Sequence, residues 1–368
     1  MQATEDQPAP AEPTPIATRP VYQPGTLVDY AAQTGDTLPA VAAHFNTTVG
    51  EILEANPGIA ADVTTLTPGE NLRIPIYYEA LWGNPFQILP DALFVYGPAQ
   101  SGFDTRAFVD SMPGWLKTYR AQAGEKTRIG GDVVEYVARA YSVSPRLLLA
   151  LAEYQAQALT SPVVPDGLED YPLGYEEQSH QGLYLQLVWA ANLINNAYYS
   201  WRTGSLDTIT RTDGSIEHPD PWQNAATVAL QNYFAGLLEP AVYQDAIYSE
   251  GFYRTYSELF GDPWLNPSPH IPGGLQQPAL ALPFAIGQTW AFTGGPHTAY
   301  GTGEPRAAID FAPPTVVGGC SPSDEFVIAI ADGQIVRTEP AIAVLDLDKD
   351  GDENTGWVIF YLHLGTNN

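Results

Sequence analysis

Proline-rich stretches divide this chain into pieces whose hydrophobic patterns differ, and this division restricts the fold more than any other feature. Proline makes up 33 of the 368 residues and recurs in the stretches 1–25, 78–99 and 266–280. Helices and central strands do not run through such stretches, because proline lacks the backbone N–H that both need. The chain is also too long for one ordinary core. The sequence therefore predicts a multidomain α+β protein.

The charge and the first 25 residues limit the partners and the location. With 15 Lys+Arg against 42 Asp+Glu, the net charge of −27 excludes nucleic acid and anionic lipid surfaces as partners. No apolar run reaches the ~18 residues of a membrane span. Residues 1–25 have the composition of a disordered linker and carry no signal peptide. Such a linker suits the region after a cleaved signal or lipid anchor, so we expect an extracellular or cell-envelope protein.

Residues 26–77 carry the pattern of a strand, two helices and a strand. "TGDTLPAVAAHF" offers a turn and a capped helix, "ILEANPGI" a second helix that stops at a glycine, and "LTPGENLRIP" a closing strand. These motifs resemble the LysM module, a small βααβ unit. The resemblance implies binding of peptidoglycan or another glycan that contains N-acetylglucosamine.

The LysM resemblance also places a saccharide groove between the loop after the first strand and the loop after the second helix. It implies contacts from six residues, which are Gly35, Asp36, Thr37, Asn56, Pro57 and Gly58. The alternative is that these residues are only caps and turns. Pro39 departs from the family pattern, in which an aromatic or polar residue is more usual.

Residues 100–265, after a connector at 78–99, are predicted to form an all-α domain. Apolar residues recur there at helical spacing, as at Val133, Val134 and Val137. "YSVSPRLLLALAEYQAQALT" and "GLYLQL" resemble the lysozyme-like lytic transglycosylases. The family's catalytic glutamate falls on Gln155, which cannot donate a proton to a glycosidic oxygen. We therefore expect a non-catalytic domain, with Glu153 as the nearest carboxylate.

Residues 281–368, after a proline-rich link at 266–280, are predicted to form an antiparallel β-sheet. Short apolar runs alternate there with glycine, proline and aspartate turns. Asp310 in "AAIDFAPP" and His363 in "FYLHLG" interrupt apolar strands, and His297 precedes them in "GGPHTAY". Burying an isolated charge in an apolar strand costs free energy unless the charge is paired or binds a metal, and zinc takes nitrogen and oxygen ligands. These residues therefore indicate a metal site.

These segments resemble the M23 family of zinc metallopeptidases, β-sheet enzymes that cut cell-wall peptides. The resemblance carries over His297 and Asp310 as Zn²⁺ ligands and His363 as the histidine that stabilises the tetrahedral intermediate. The usual His-x-x-x-Asp motif is absent, since Arg306 stands four residues before Asp310. The longer spacing matches the β-lytic branch.

The family's closing His-x-His motif, which supplies the third ligand, is not in this sequence. We therefore expect that the third ligand lies beyond residue 368 and that the peptidase domain is incomplete here. We also expect that this chain is inactive, although the intact gene product is a peptidase. Two ligands hold zinc too weakly. The alternative is a non-catalytic peptidoglycan-binding scaffold with degenerate peptidase and lysozyme-like domains.

Two further features remain open. Asp346, Asp348 and Asp350 resemble the start of a Ca²⁺-binding loop, but the twelfth position is Trp357 where an EF-hand needs glutamate. Calcium binding there is the less favoured reading, and a solvated acidic hairpin is the alternative. Cys320, the single cysteine, would form a disulfide only with a cysteine beyond this chain.

Overall fold

The computed structural model of the chain describes residues 19–77, 82–265, 268–314 and 323–365. Helices and small antiparallel sheets alternate through these ranges, which confirms the predicted mixed α+β, multidomain character. None of the helices in these ranges has both the length and the apolar character that a membrane crossing requires. Residues 1–18 of the predicted linker 1–25, and Cys320, which was considered for a disulfide to a cysteine beyond this chain, lie outside the described residues.

The N-terminal part is a two-stranded antiparallel sheet with two short helices. Its elements follow the predicted order, and they are β1 (Thr26–Ala31), α1 (Leu38–His44), α2 (Val49–Ala55) and β2 (Asn71–Ile76). Thr37 accepts a hydrogen bond from the Ala40 N–H at the start of α1, and Thr48 forms a capping box with Glu51 at α2. The apolar faces enclose a separate small core around Phe45 and Ile52, both fully buried.

Seven helices form the middle of the described chain. They are α3 (Thr105–Ser111), α4 (Gly131–Tyr141), α5 (Pro145–Ala156), α6 (Leu183–Arg202), α7 (Ala225–Ala235), α8 (Pro240–Ala246) and α9 (Phe252–Phe260). Two hairpins lie between them, β3 (Arg120–Ala123) with β4 (Lys126–Ile129) and β5 (Ile209–Thr210) with β6 (Ile216–Glu217). The prediction of a purely α domain was wrong in this detail. Gly124 at φ +63° makes the tight turn between β3 and β4, which helical periodicity does not reveal.

The helical core extends into the segment that the sequence assigns to a connector. Ile88, Leu89 and Phe94 are fully buried among the residues of α5, α6 and α7. The Phe94 ring stacks on Tyr198 of α6 with 4.2 Å between the ring centroids. Residues 88–94 therefore contribute to the same core as the helices.

The C-terminal part contains two small antiparallel sheets. β7 (Ala291–His297) pairs with β8 (Ala308–Ala312), and β10 (Ile342–Asp346) lies between β9 (Gln334–Glu339) and β11 (Val358–Tyr361). Among the described residues these strands form two sheets where the sequence predicts one. Several large apolar side chains on them are exposed, including Phe292, Ile309 and Ile335.

Helix α6 contacts both of the other parts of the molecule. Leu187, Ala191 and Ile194 face the helical core and are fully buried. Asn196, on another side, donates a hydrogen bond to the Thr302 carbonyl in the loop between β7 and β8. Arg202, at the end of the helix, donates to carbonyls of the loop after β1. This helix thus fixes the loop that joins β7 to β8 and the loop after β1.

Candidate functional site

His297 and Asp310 face each other across the pair of strands β7 and β8. Asp310 pairs with Gly294, and His297, at the end of β7, pairs with Ala308. The register places the imidazole Nε2 2.9 Å from the Asp310 carboxylate Oδ2. Gly294 leaves space for this side chain, because a Cβ at that position would lie 2.7 Å from the same carboxylate oxygen. The two side chains are 43 % and 53 % exposed, so the pair is open to solvent.

The second ring nitrogen of His297 fixes the orientation of the imidazole. Nδ1 lies 2.7 Å from the Thr298 carbonyl, which can only accept, so Nδ1 carries a hydrogen. Nε2 then faces the carboxylate, and two acceptors facing each other need a proton or a cation between them. The Thr298 carbonyl and the Asp310 carboxylate accordingly raise the pKa of His297 above its ordinary value. Metal-binding histidines commonly donate their other N–H to a carbonyl in this way.

The pair supplies two ligand atoms of kinds that zinc accepts. Ligands 2.0–2.2 Å from a tetrahedral ion lie about 3.3 Å apart, so a small opening of the 2.9 Å contact would admit one. Within the described ranges, no third histidine, cysteine, aspartate or glutamate joins the pair in a group with ligand atoms all within 4.8 Å of one another. His363, predicted to be catalytic, lies just after β11, is exposed and has a left-handed backbone at φ 60°.

The three aspartates considered for calcium do come together at the end of β10 and in the loop that follows it. Ligand atoms of Asp346, Asp348 and Asp350 lie within 4.8 Å of one another. Asp346 is fully buried and accepts hydrogen bonds from the backbone N–H groups of Asp348 at 3.2 Å and Gly351 at 3.0 Å. The hydrogen bond with the Asp346 side chain raises the pKa of Asp348 above its ordinary value. The loop's own N–H groups thus already bond to Asp346, and calcium binding stays the less favoured of the two readings.

The predicted groove residues of the loop after β1 are largely covered by the chain itself. Gly35 is buried, and a Cβ there would lie 1.7 Å from the guanidinium of Arg202. The Asp36 carboxylate accepts from the Tyr30 hydroxyl at 2.5 Å and from the Gln33 N–H at 2.8 Å. Burial raises the pKa of Asp36 to about 6. Thr37 caps helix α1, as described above.

On the other side of the predicted groove, the residues after α2 are more accessible. The Asn56 amide donates to the carbonyls of Ile52 at 2.7 Å and Arg73 at 2.8 Å, so its side chain holds the loop against β2. Pro57 and Gly58 are exposed. The structure therefore brings the six residues into two neighbouring loops but leaves only part of the set open to solvent.

The helical domain offers no free carboxylate at the position considered for glycoside hydrolysis. The Gln155 amide accepts from the Tyr233 hydroxyl at 2.6 Å and donates to the Leu173 carbonyl at 2.8 Å. The Glu153 carboxylate accepts from the N–H of Leu159 at 2.7 Å and the hydroxyl of Thr160 at 2.5 Å. Both side chains are therefore engaged in structural hydrogen bonds.

Sequence reasoning missed a cavity of about 910 Å³ between the N-terminal part and the helices. It is lined by residues that lie far apart in the chain, among them Arg19, Phe86, Asp91, Trp222 and Trp264. The Arg19 guanidinium covers the Trp222 ring at 4.1 Å and pairs with Asp220 at 2.7 Å. No local pattern marks such a cavity, because it exists only where two folded parts meet.

Comparisons with known proteins identify two regions of the chain. Residues 30–75 match the LysM domain, and residues 87–273, half of the chain, match the family described as LasA, N-terminal domain. Protease LasA from two strains of Pseudomonas aeruginosa is 26 % and 25 % identical over 237 residues, which cover 60 % of this chain and 51 % of each relative. The chain thus spans about half the length of these curated relatives. No solved structure matches.

These matches confirm the predicted LysM module and the predicted resemblance to M23-type peptidases. The helical region, which the sequence likens to lytic transglycosylases, falls within the matched LasA N-terminal domain. That match begins at residue 87, within the segment that the sequence assigns to a connector.

Proposed function

Because the chain belongs to the LasA N-terminal-domain family and also carries a LysM domain, we propose that it acts on bacterial cell walls as a zinc metalloendopeptidase of the M23 kind. It would work outside the cell or at the cell envelope. The observation that carries the proposal is the contact between His297 Nε2 and Asp310 Oδ2 at 2.9 Å, on paired strands and open to solvent.

In this proposal, His297 and Asp310 hold the metal and the surrounding chain keeps them oriented. The Thr298 carbonyl holds the hydrogen on Nδ1, so the Nε2 lone pair is directed at the site. Gly294 leaves room for the Asp310 carboxylate. Zinc would supply Lewis-acid activation of a peptide carbonyl and of water. His363 would donate a hydrogen bond to the oxygen that gains negative charge.

The metal site needs at least one more protein ligand, which we propose comes from residues outside the described ranges. Two ligands do not hold zinc reliably. Exposed apolar side chains near the pair support additional structure over these strands, since Phe292 is 59 % exposed and Ile309 56 % exposed. Such side chains are normally covered by another part of the protein.

The LysM domain would hold the peptidase near its polymer. Binding to N-acetylglucosamine-containing glycan raises the effective concentration of the peptide substrate without adding a contact at the reacting bond. We propose peptidoglycan as the partner, with the helical domain as a non-catalytic unit between anchor and catalytic part.

The test compares three forms of the complete gene product: wild type, Asp310→Asn and the control Asp332→Asn, which changes an exposed aspartate. Each is incubated with zinc and purified peptidoglycan, and released amino groups and bound zinc are measured. We expect Asp310→Asn to lower the release of amino groups at least about 100-fold and to lower bound zinc. The control should keep both.

Zinc-independent release of amino groups, or equal release by all three forms, would contradict the proposal. Binding of peptidoglycan by the wild type without release of amino groups would instead favour the non-catalytic scaffold. The absence of a third ligand near His297 and Asp310 among the described residues is the observation that keeps this second function open.

A further inference from the structure

A short segment of the chain lies across the two loops that border the predicted saccharide groove of the LysM domain. We propose that residues 270–275, which we call the strap, cover the end of this groove beside Thr34 and Gly35, so that full glycan binding requires release of the strap. The proposal rests on the proposed function, because it concerns the regulation of the same glycan site.

The strap is bonded to the loop after β1 through one threonine. The Thr34 hydroxyl accepts a hydrogen bond from the Ile271 N–H at 2.9 Å and donates to the Ile271 carbonyl at 3.3 Å. Thr34 directly precedes Gly35, the first of the predicted groove residues. The strap therefore contacts the residue next to the three predicted groove residues of this loop.

The strap is bonded more extensively to the loop before β2. The Thr65 hydroxyl donates to the Pro272 carbonyl at 2.8 Å and accepts from the Leu275 N–H at 2.9 Å. The Thr65 carbonyl accepts from the Gly274 N–H at 2.8 Å. The Thr64 hydroxyl donates to the Leu275 carbonyl at 2.7 Å. Backbone groups of the strap are thus hydrogen-bonded to the hydroxyls of Thr64 and Thr65 and to the Thr65 carbonyl.

The two loops are themselves in contact, so the strap crosses a continuous surface. The Leu66 N–H donates to the Asp36 carbonyl at 2.8 Å, which joins the loop before β2 to the loop after β1. A saccharide binds such loops through its hydroxyl and amide groups, and those would have to replace the bonds of the strap. The strap is part of the same chain, so it competes with the saccharide for these loops at a high effective concentration, whereas the saccharide competes only at its concentration in solution.

Arg202 covers the same loop from the side of the helices. Its guanidinium donates to the Thr34 carbonyl and to the Gly35 carbonyl, each at 3.0 Å. The strap and Arg202 therefore occupy the side chain of Thr34 and the carbonyls of Thr34 and Gly35 together.

The strap is held in a way that permits release. Pro272 and Gly274 are exposed, while Ile271 and Leu275 are only partly buried. A segment with many solvent-accessible hydrogen bonds and little apolar burial opens at a small fraction of the free energy of global unfolding. Binding of a long glycan could therefore displace the strap without unfolding the LysM domain.

The test is Gly273→Val in the full chain. A Cβ at this position would lie 2.5 Å from the Thr67 hydroxyl and 2.8 Å from the Thr67 Cα, so a valine cannot fit while the strap is closed. Gly365→Val is the matched control, because a Cβ there meets nothing within 4 Å. Binding of a hexamer of N-acetylglucosamine is measured by calorimetry, and hydrogen exchange at the Gly274 amide reports whether the strap is open.

We expect Gly273→Val to expose the Gly274 amide to exchange and to lower the dissociation constant for the hexamer at least about tenfold, with the control unchanged. Thr65→Val, which keeps the shape of the side chain but removes the hydroxyl, should shift affinity in the same direction if Gly273→Val does not fold.

Equal affinity of wild type, control and an opened variant would overturn the role of the strap and leave the proposed glycan binding intact. No binding by a variant whose strap is open would contradict both. Exchange of the Gly274 amide in the wild type at the rate of an unprotected amide would also overturn the proposal, because its bond to the Thr65 carbonyl would then not be formed.

Discussion

At the scale of single residues, side-chain amides decide what the helical domain can do. Gln155 occupies the position at which the lytic transglycosylase resemblance expects a glutamate, and both ends of its amide are bonded, to Tyr233 and to Leu173. Tyr233 is fully buried, and burial raises its pKa far above the ordinary value, so it stays a hydrogen-bond donor at every ordinary pH. Gln155 is therefore a structural residue by its contacts.

Gln155→Glu should destabilise the protein without creating a glycosidase. A carboxylate cannot donate to the Leu173 carbonyl, so that acceptor loses its partner and two oxygens face each other. We expect a loss of about 2–3 kcal/mol in the free energy of unfolding, measured by denaturant titration. Gln277→Glu, at an exposed position, is the control. Unchanged stability, or release of reducing sugars from peptidoglycan, would contradict this prediction.

At the scale of elements, helix α6 holds the loop that joins the two proposed metal ligands. The Asn192 carbonyl oxygen of the side chain accepts from the Thr302 N–H at 2.9 Å, and Asn196 accepts from the Glu304 N–H at 2.7 Å. The helical repeat places both asparagines on one face, one turn apart. Gly301 and Gly303 allow this approach, because a Cβ on either would lie within about 2 Å of an asparagine oxygen.

Asn196→Ala should loosen this loop while leaving the helix intact. It removes the bonds to Glu304 and to the Thr302 carbonyl, each worth about 1 kcal/mol. We expect the Glu304 amide to exchange hydrogen at least about tenfold faster, measured by mass spectrometry or NMR. Asn232→Ala, on helix α7, should leave that rate unchanged. An unchanged rate in Asn196→Ala would show that other contacts hold the loop.

At the scale of the whole molecule, ionisable groups lie at and beside the contact between the LysM domain and the helices, and burial shifts their pKa values so that the neutral forms are favoured. His44 stacks on Trp201 with 3.6 Å between the ring centroids, and burial lowers its pKa to about 4. Burial also lowers the pKa of His270, at the start of the strap, to about 4. Asp36 behaves oppositely, since burial raises its pKa to about 6.

The signs of these shifts predict that acid weakens the fold. The unfolded chain binds protons at the two histidines near pH 6.5, whereas the folded chain binds them only near pH 4. Stability from these histidines is thus complete above pH 6.5 and is lost as the pH falls toward 4. Asp36 contributes stability at low pH that is lost as the pH rises through about 6, which offsets one of the two histidines.

We expect a net loss of roughly 3 kcal/mol between pH 6.5 and pH 4, seen as a lower thermal midpoint. His44→Phe keeps an aromatic ring against Trp201 but cannot take up a proton, so its midpoint should depend less on pH. His180→Phe, which changes a histidine away from this contact, should keep the dependence of the wild type. A midpoint that rises on acidification would contradict the prediction.

The sequence by itself determined the features that depend on neighbouring residues. The presence of a cap before each LysM helix and the apolar faces of the helices are set by contacts within a few residues, so they can be read from local patterns, and the structure shows Thr37 and Thr48 as the caps. Asp310 was found in the same way, as a charged residue in an apolar strand, and the structure places it 2.9 Å from His297.

Only the tertiary structure decided which of these residues remain available to a ligand. The sequence predicted Gly35 as a groove residue, whereas the structure shows that Arg202 covers it. The sequence also assigned residues 88–94 to a connector, whereas the structure buries Ile88, Leu89 and Phe94 among the helices. The strap, the cavity at Trp222 and the bonds from α6 to the loop after β7 join segments far apart in the chain. These contacts depend on how whole domains pack against each other, so they cannot be predicted from the periodicity or the motifs of a single segment.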